Sequence, residues 1–302
     1  MPIDYSSVRY LLSKKPVDDR ALNQTLLSEL RSRIAGRGDG SRLDVLEIGA
    51  GVGTMVSRLS EWNVVGNANY TLIDQDQPSL KAAEAHLREW ADHADLVAPG
   101  KLSLRAKAHE LSVRFVHGNA LEHVTLPEHR QRYDLVTANA VLDLMEVRPA
   151  LERIWQALRP GGLFWFTINF DGESIFLPEA PLDERVTHLY HRTMDERVID
   201  GVPSGDSKTG RHLLELIPKT GATLLSAGSS DWVVFPSAGA YRNDEAYFLH
   251  HIVDTIWTAL RASPELDTAE LEAWVQRRHG QIDAAQLIYI AHQLDVLGHV
   301  PG

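Results

Sequence analysis

Val45-Leu46-Glu47-Ile48-Gly49-Ala50-Gly51-Val52-Gly53-Thr54 carries the strongest structural signal in the chain. It begins as a short apolar run, which reads as a buried strand. Glycines then stand at alternate positions, 49, 51 and 53. After them Met55, Val56 and Leu59 recur at helical spacing, so a helix opens there. Strand, glycine turn and helix together let a nucleotide-like ligand approach bare backbone at a helix N-terminus. A dinucleotide fingerprint has Gly or Ala three residues after its second glycine, where this chain has Thr54. A phosphate-cradling P-loop needs Gly-Lys-Ser/Thr, which is absent. Glu47, two residues before the first glycine, disfavours a pyrophosphate and suits a cationic group.

Working outward, Tyr70-Thr71-Leu72-Ile73-Asp74 is a strand ending in an acid. That acid is placed to accept hydrogen bonds from ribose hydroxyls. Pro78 fits the first turn of the following helix, whose apolar stripe is Leu80, Ala83, Leu87, Trp90 and Ala91. Residues 92–110 read as an irregular surface excursion. Residues 113–117 alternate like a strand and lead into Gly118-Asn119-Ala120. Tyr133-Asp134-Leu135-Val136-Thr137-Ala138 is a fourth strand, running into Asn139-Ala140-Val141-Leu142-Asp143-Leu144. Residues 147–158 are helical and stop at Arg159-Pro160-Gly161-Gly162, before a fifth strand at 163–168.

Together these features resemble the Rossmann-like, class I S-adenosylmethionine (SAM)-dependent methyltransferases. The resemblance rests on Glu47-x-Gly49-x-Gly51-x-Gly53, the acid Asp74, Gly118-Asn119-Ala120 where the family has Gly-Asp-Ala/Val, and Leu158-Arg159-Pro160-Gly161-Gly162. It implies an α/β fold: a doubly wound, mostly parallel seven-stranded sheet. It also implies SAM as cofactor, held by Glu47, Gly49, Ala50, Gly51, Gly53, Asp74, Gln75, Asn119, Ala120 and Asn139. Asp76 is the second choice as ribose acceptor. Asn119 departs from the family's Asp, yet its amide oxygen still accepts a hydrogen bond from an adenine amino group. Asn-Pro-Pro-Tyr, the signature of base-amino methylation, is missing after the fourth strand.

Composition narrows the partners. The net charge of −11 over 302 residues disfavours nucleic acid, whose phosphates need basic surface. The absence of cysteine excludes disulfides, thiolate metal sites and cysteine nucleophiles. No apolar run has membrane-spanning length, and Met1-Pro2-Ile3-Asp4 lacks signal-peptide character. A soluble cytoplasmic protein with no membrane partner is expected. No metal is expected either, because methyl transfer from a sulfonium needs positioning, worth about 7–11 kcal/mol, rather than a Lewis acid.

The rest of the chain is expected to cover this core. Asp18-Asp19-Arg20-Ala21-Leu22-Asn23 opens a helical pattern with Leu22, Leu26, Leu27 and Leu30 on one stripe, and residues 36–40 read as loop. Residues 1–41 thus form an N-terminal helical cover, with Arg20 and Asn23 facing the ligand, on a domain spanning 42–302. A helix at 247–260 and a second one capped by Asp267-Thr268-Ala269-Glu270 form an inserted helical cover at about 240–283. Residues 287–297 are ambiguous; their β-branched content favours a last strand.

The substrate side is read from residues 169–205, which leave the carboxyl end of the fifth strand, the ligand side of an open sheet. Asp171, Tyr190 and Arg192 are the substrate-binding candidates, with Arg192 offering a planar fork for a carboxylate. A base is sought among His191, His250 and His251, since histidine titrates near neutrality. The expected reaction is methylation of oxygen or nitrogen on a small metabolite. The rivals are a nicotinamide-dependent oxidoreductase, disfavoured by Thr54, and a non-catalytic SAM-binding regulator.

Overall fold

The computed structural model describes residues 7–37 and 41–302. Residues 1–4, read for a leader, and 38–40, read as loop, lie outside them.

Two helices open the chain, α1 (Ser7–Ala21) and α2 (Gln24–Ala35). Then come β1 (Leu43–Ile48), α3 (Thr54–Glu61), β2 (Ala68–Asp74) and α4 (Gln77–Trp90). The strands β3 (His93–Ala98), β4 (Lys101–Ala106) and β5 (His109–His117) follow, then α5 (Ala120–His123), β6 (Tyr133–Asn139), α6 (Val147–Ala157) and β7 (Leu158–Leu177). The last third comprises α7 (Asp183–Asp195), a small hairpin of β8 (Val198–Ile199) and β9 (Val202–Pro203), α8 (Thr209–Lys219), β10 (Thr223–Ser229), β11 (Trp232–Val234), α9 (Glu245–Leu260), α10 (Thr268–Asp283) and β12 (Ile288–His299).

The main sheet has the order β10-β12-β7-β6-β1-β2-β5-β4-β3, with β11 on β12. From β5 to β7 it is parallel, and β12 runs antiparallel between β7 and β10. That is the expected seven-stranded core, enlarged by β3, β4 and β11. The chain at 92–110 is therefore not irregular: β3 and β4 form an antiparallel hairpin on the edge strand β5. The apolar faces of Leu102 and Leu104 fall every second residue, a strand period that the neighbouring turn residues mask.

Strand alternation divides the core. Leu43 and Val45 face one layer, with α2, α3 and α4; Leu46 and Ile48 face the other, with α6 and α8. The fifth strand is far longer than 163–168, because β12 pairs along it as far as Ile288 opposite Leu177. Residues 287–297 are accordingly a strand, as their β-branched content suggests. The N-terminal helix also starts earlier than its leucine stripe. Residues 18–21 finish α1, and Asn23 caps α2 by accepting the N–H groups of Thr25 and Leu26.

The helix α1 lies against α3 and α9 and is held there by charge. Asp18, 2% exposed, accepts hydrogen bonds from Lys14 Nζ at 2.6 Å and Trp232 Nε1 at 2.9 Å. Arg58 of α3, 1% exposed, reaches Asp19 at 2.5 Å, Asp18 at 3.6 Å and the Lys15 carbonyl at 3.0 Å. Arg20 pairs with buried Glu245 at the start of α9. At the far end of the cover, buried Arg278 of α10 pairs with Asp183 of α7, which also accepts from Trp274 Nε1.

Removing one partner from a buried ion pair strands the other charge, at a cost of about 3–5 kcal/mol. Arg58→Ala is expected to lower stability by that amount in urea unfolding. A loss below about 1 kcal/mol would show that the α1–α3 network carries no weight.

Candidate active site

The glycine turn closes the carboxyl end of β1. Gly49, Gly51 and Gly53 have φ of 64°, 52° and 70°, left-handed values that favour glycine. Space matters as much as φ. A Cβ on Gly49 would lie 2.5 Å from Val141 Cγ2, and one on Gly51 would lie 3.1 Å from Leu11 Cδ1. The bare backbone is thus approached by the loop after β6 and by α1, as well as being open in principle to a ligand.

Asp74, at the tip of β2, ties this turn down. Its Oδ2 accepts the Gly51 N–H at 2.7 Å and its Oδ1 accepts the Asp76 N–H at 2.8 Å. Each oxygen keeps a further lone pair. Asp76 caps α4 through the Ser79 N–H. Gln75 is exposed beside Asp74. Asn119 caps α5, its Oδ1 accepting the Leu121 N–H at 2.9 Å, with buried Ala120 next to it. Asn139, at the end of β6, accepts from Thr167 Oγ1 at 2.8 Å and lies 3.5 Å from Asp18.

Glu47 is 2% exposed, and its Oε2 has no hydrogen-bond partner among the described residues. Burial pushes its carboxyl up to about 8; Arg58 opposes the shift and Asp74 adds to it. An orphaned acid beside a glycine turn is a place for a cation.

Beyond Asn139 the loop carries Asp143, whose Oδ1 is buried without a partner among the described residues. Burial raises this carboxyl to about 6, with its own backbone N–H, then Arg197 and Lys14, opposing and Asp206 adding to the shift. Burial pushes up the phenols of Tyr10 and Tyr190, with Asp18 adding most to the first and Asp143 to the second. Tyr10 stacks on His251 at 3.9 Å and on Phe248 at 5.9 Å, so α1 and α9 meet over this loop.

The sequence candidates separate accordingly. Tyr190 shares the environment of Asp143, and His251 meets Tyr10. His191 sits 3.1 Å from Ser174 Oγ with its edge to Phe170, and burial lowers it to about 4. His250 faces α10 instead: Nδ1 is 2.7 Å from His279 Nδ1 and Nε2 is 3.2 Å from Asp283. Asp171 is buried in a two-pronged pair with Arg211 of α8. Arg192 pairs with Glu265 on the surface, so its fork is occupied. Arg20 is drawn to Glu245, and Asn23 turns to the Ser229 carbonyl and to capping α2; neither faces the glycine turn. Sequence reasoning missed Asp143, Tyr10, Lys14 and Arg58. An acid four residues past Asn139 was the one visible signal for Asp143.

A methyltransferase-domain family model matches residues 46–164, from β1 into β7. That stretch of the chain is similar to a methyltransferase domain. Solved structures share the fold at low identity. A methyltransferase candidate from Bacillus halodurans is 13% identical, with a TM-score of 0.51 over 91% of this chain and 99% of that one. The YcgJ protein of Bacillus subtilis is 16% identical, with a TM-score of 0.49 over 91% and 99%. A SAM-dependent methyltransferase of Geobacter sulfurreducens, in complex with S-adenosyl-L-homocysteine, is 16% identical, with a TM-score of 0.47 over 94% and 93%. No curated protein sequence matches the chain. No helix among the described residues is long and apolar enough to cross a membrane.

The raised carboxyl of Glu47 gives this chain a pH signature. Between the ordinary carboxylate value and about 8 the folded chain holds a proton that the unfolded chain has released. Its stabilising contribution is full below that window and is lost as pH rises through about 8. In urea unfolding at pH 5, 7 and 9, Glu47→Gln is expected to flatten the decline seen in the wild type. Parallel profiles would contradict the assignment.

Proposed function

We propose that the protein transfers the methyl group of SAM to oxygen or nitrogen of a small metabolite in the cytoplasm. The observation that carries this reading is the roof over the carboxyl end of β6 and β7. There α1 and α9 meet through Tyr10, Phe248 and His251, and the loop after β6 carries Asp143, whose Oδ1 is buried without a hydrogen bond among the described residues. Enclosure suits a small ligand better than a protein surface.

The residues present fit the cofactor. To the amino-acid end of the cofactor Glu47 offers an orphaned carboxyl that an ammonium would ionise, and Gly49, Ala50, Gly51 and Gly53 offer a turn of exposed backbone. Asp74 offers spare lone pairs to ribose hydroxyls, with Gln75 beside it. Asn119, Ala120 and Asn139 complete the rim. When bound, SAM supplies a methyl already activated by a positive sulfur. The protein's task is to hold the acceptor in line with that methyl and to exclude water. Tyr190 and His251 are the sequence candidates retained on the acceptor side; His250, Asp171 and Arg192 are engaged elsewhere.

Asp74→Ala is expected to weaken SAM binding by about 1–3 kcal/mol in titration calorimetry, because ribose donors lose a charged acceptor. The wild type should bind SAM and not NAD. Turnover on a metabolite panel tests the acceptor class. Methylation of proteins or nucleic acids alone would overturn the small-molecule reading.

A further inference from the structure

We propose that Asp143 receives the methyl acceptor and that the acceptor is an amine that binds as its ammonium ion. The inference deepens the reading above and rests on it. Asp143 stands on the loop after β6, four residues beyond Asn139 at the strand end. Its Oδ1 is buried and makes no hydrogen bond among the described residues.

The two nearby cations favour its charged form through space, but neither makes a hydrogen bond to Oδ1. Lys14 points its ammonium at Asp18, 2.6 Å away. The Arg197 guanidinium donates to backbone carbonyls, those of Asp143 at 3.3 Å and of Ser204. Asp206, whose N–H meets the Asp143 carbonyl at 3.3 Å, brings a second negative charge close by. An acceptor carrying a carboxylate or phosphate would bring a further negative charge beside Asp143 and Asp206 in a poorly solvated place. An ammonium would supply the missing partner.

The neighbouring rings favour the same guest. Tyr190 of α7 feels the Asp143 charge next after burial, and Tyr10 of α1, stacked on His251 and Phe248 of α9, feels it more weakly. Aromatic faces attract cations as well as methylene groups. No sequence candidate offered this combination; the carboxylate fork expected at Arg192 is closed by Glu265.

The chemistry balances without a further reactant. The bound ammonium gives a proton to the Asp143 carboxylate and becomes a neutral amine with a free lone pair. That lone pair forms the new N–C bond as the C–S bond of SAM breaks, and the breaking pair stays on sulfur. The product leaves as a methylated ammonium, and the proton on Asp143 passes to solvent.

The test uses the full chain saturated with S-adenosylhomocysteine, so that no turnover occurs. Calorimetry follows binding of a panel of primary and secondary metabolite amines, with the matching carboxylic acids and phenols as counterparts. We expect at least one amine to bind the wild type and Asp143→Asn to weaken it at least tenfold, with S-adenosylhomocysteine affinity unchanged. Asp143→Glu should restore part of the affinity. In the wild type, amine binding should weaken as pH falls through about 6, where Asp143 takes up its proton. This arm stands even where the variants fail to fold. Lys14, Arg197, Asp206, Tyr10 and Tyr190 are the other charged or titratable groups facing the site. Amine binding unchanged in Asp143→Asn, a flat pH profile, or binding confined to acids and phenols overturns the proposal. Failure of the wild type to bind S-adenosylhomocysteine would instead overturn the cofactor reading on which it rests.

Discussion

The buried charge network centred on Asp18 is the constraint on which the site depends. A carboxylate at 2% exposure is tolerable only because Lys14, the Trp232 indole and the Arg58 guanidinium surround it. Each partner sits on a different element. Lys14 belongs to α1, Trp232 to β11, and Arg58 to α3, the helix that opens after the glycine turn. One acid therefore joins α1, β11 and the helix that opens after the glycine turn. Charge pairs of this kind add little net stability over a well-packed apolar core, but breaking one is costly. Their effect here is to hold α1 in one position over the turn, where Leu11 fills the space beside Gly51.

The same economy of position governs the crevice. Asp74 is at once a strand-end acid and the anchor of the turn, because its oxygens take the Gly51 and Asp76 N–H groups. Asp295, buried under the crevice, does a comparable job on the other side. It accepts N–H groups from Asn23, at the α1–α2 junction, and from Ile168, held at a φ of 58°. Burial raises Asp295 to about 6. A β-branched residue in the left-handed region is strained and needs support of this kind.

Much of this was legible before any coordinates. The glycine turn, the acid at Asp74, the stop at Arg159-Pro160-Gly161-Gly162 and the apolar period of α9 are local signals, each set by backbone freedom or side-chain spacing. The whole parallel core follows from them. The β3–β4 hairpin was not legible, since short edge strands with exposed Leu96 and Val97 look like loop. Nor was the true extent of β7, which depends on a partner strand more than a hundred residues away. The site separates along the same line. Cofactor-side residues sit at strand ends that spacing predicts. The proposed acceptor side draws on α1, α7 and α9, and no periodicity says that Tyr10 meets His251 or that Arg192 meets Glu265. Nothing in the stretch from Asn139 to Leu144 announces that the Oδ1 of Asp143 is buried without a hydrogen bond among the described residues.

The central claim is that the glycine turn and the cover form one SAM site. Amide hydrogen exchange of the full chain, with and without saturating SAM, addresses it most directly. Bound SAM should slow exchange at residues 49–53, 74–76 and 119–121, and in α1 and α9 as well, because the cover is tied to the turn. Protection of the turn alone would break the link between cover and cofactor. No protection at 49–53 under saturating SAM would contradict the account as a whole.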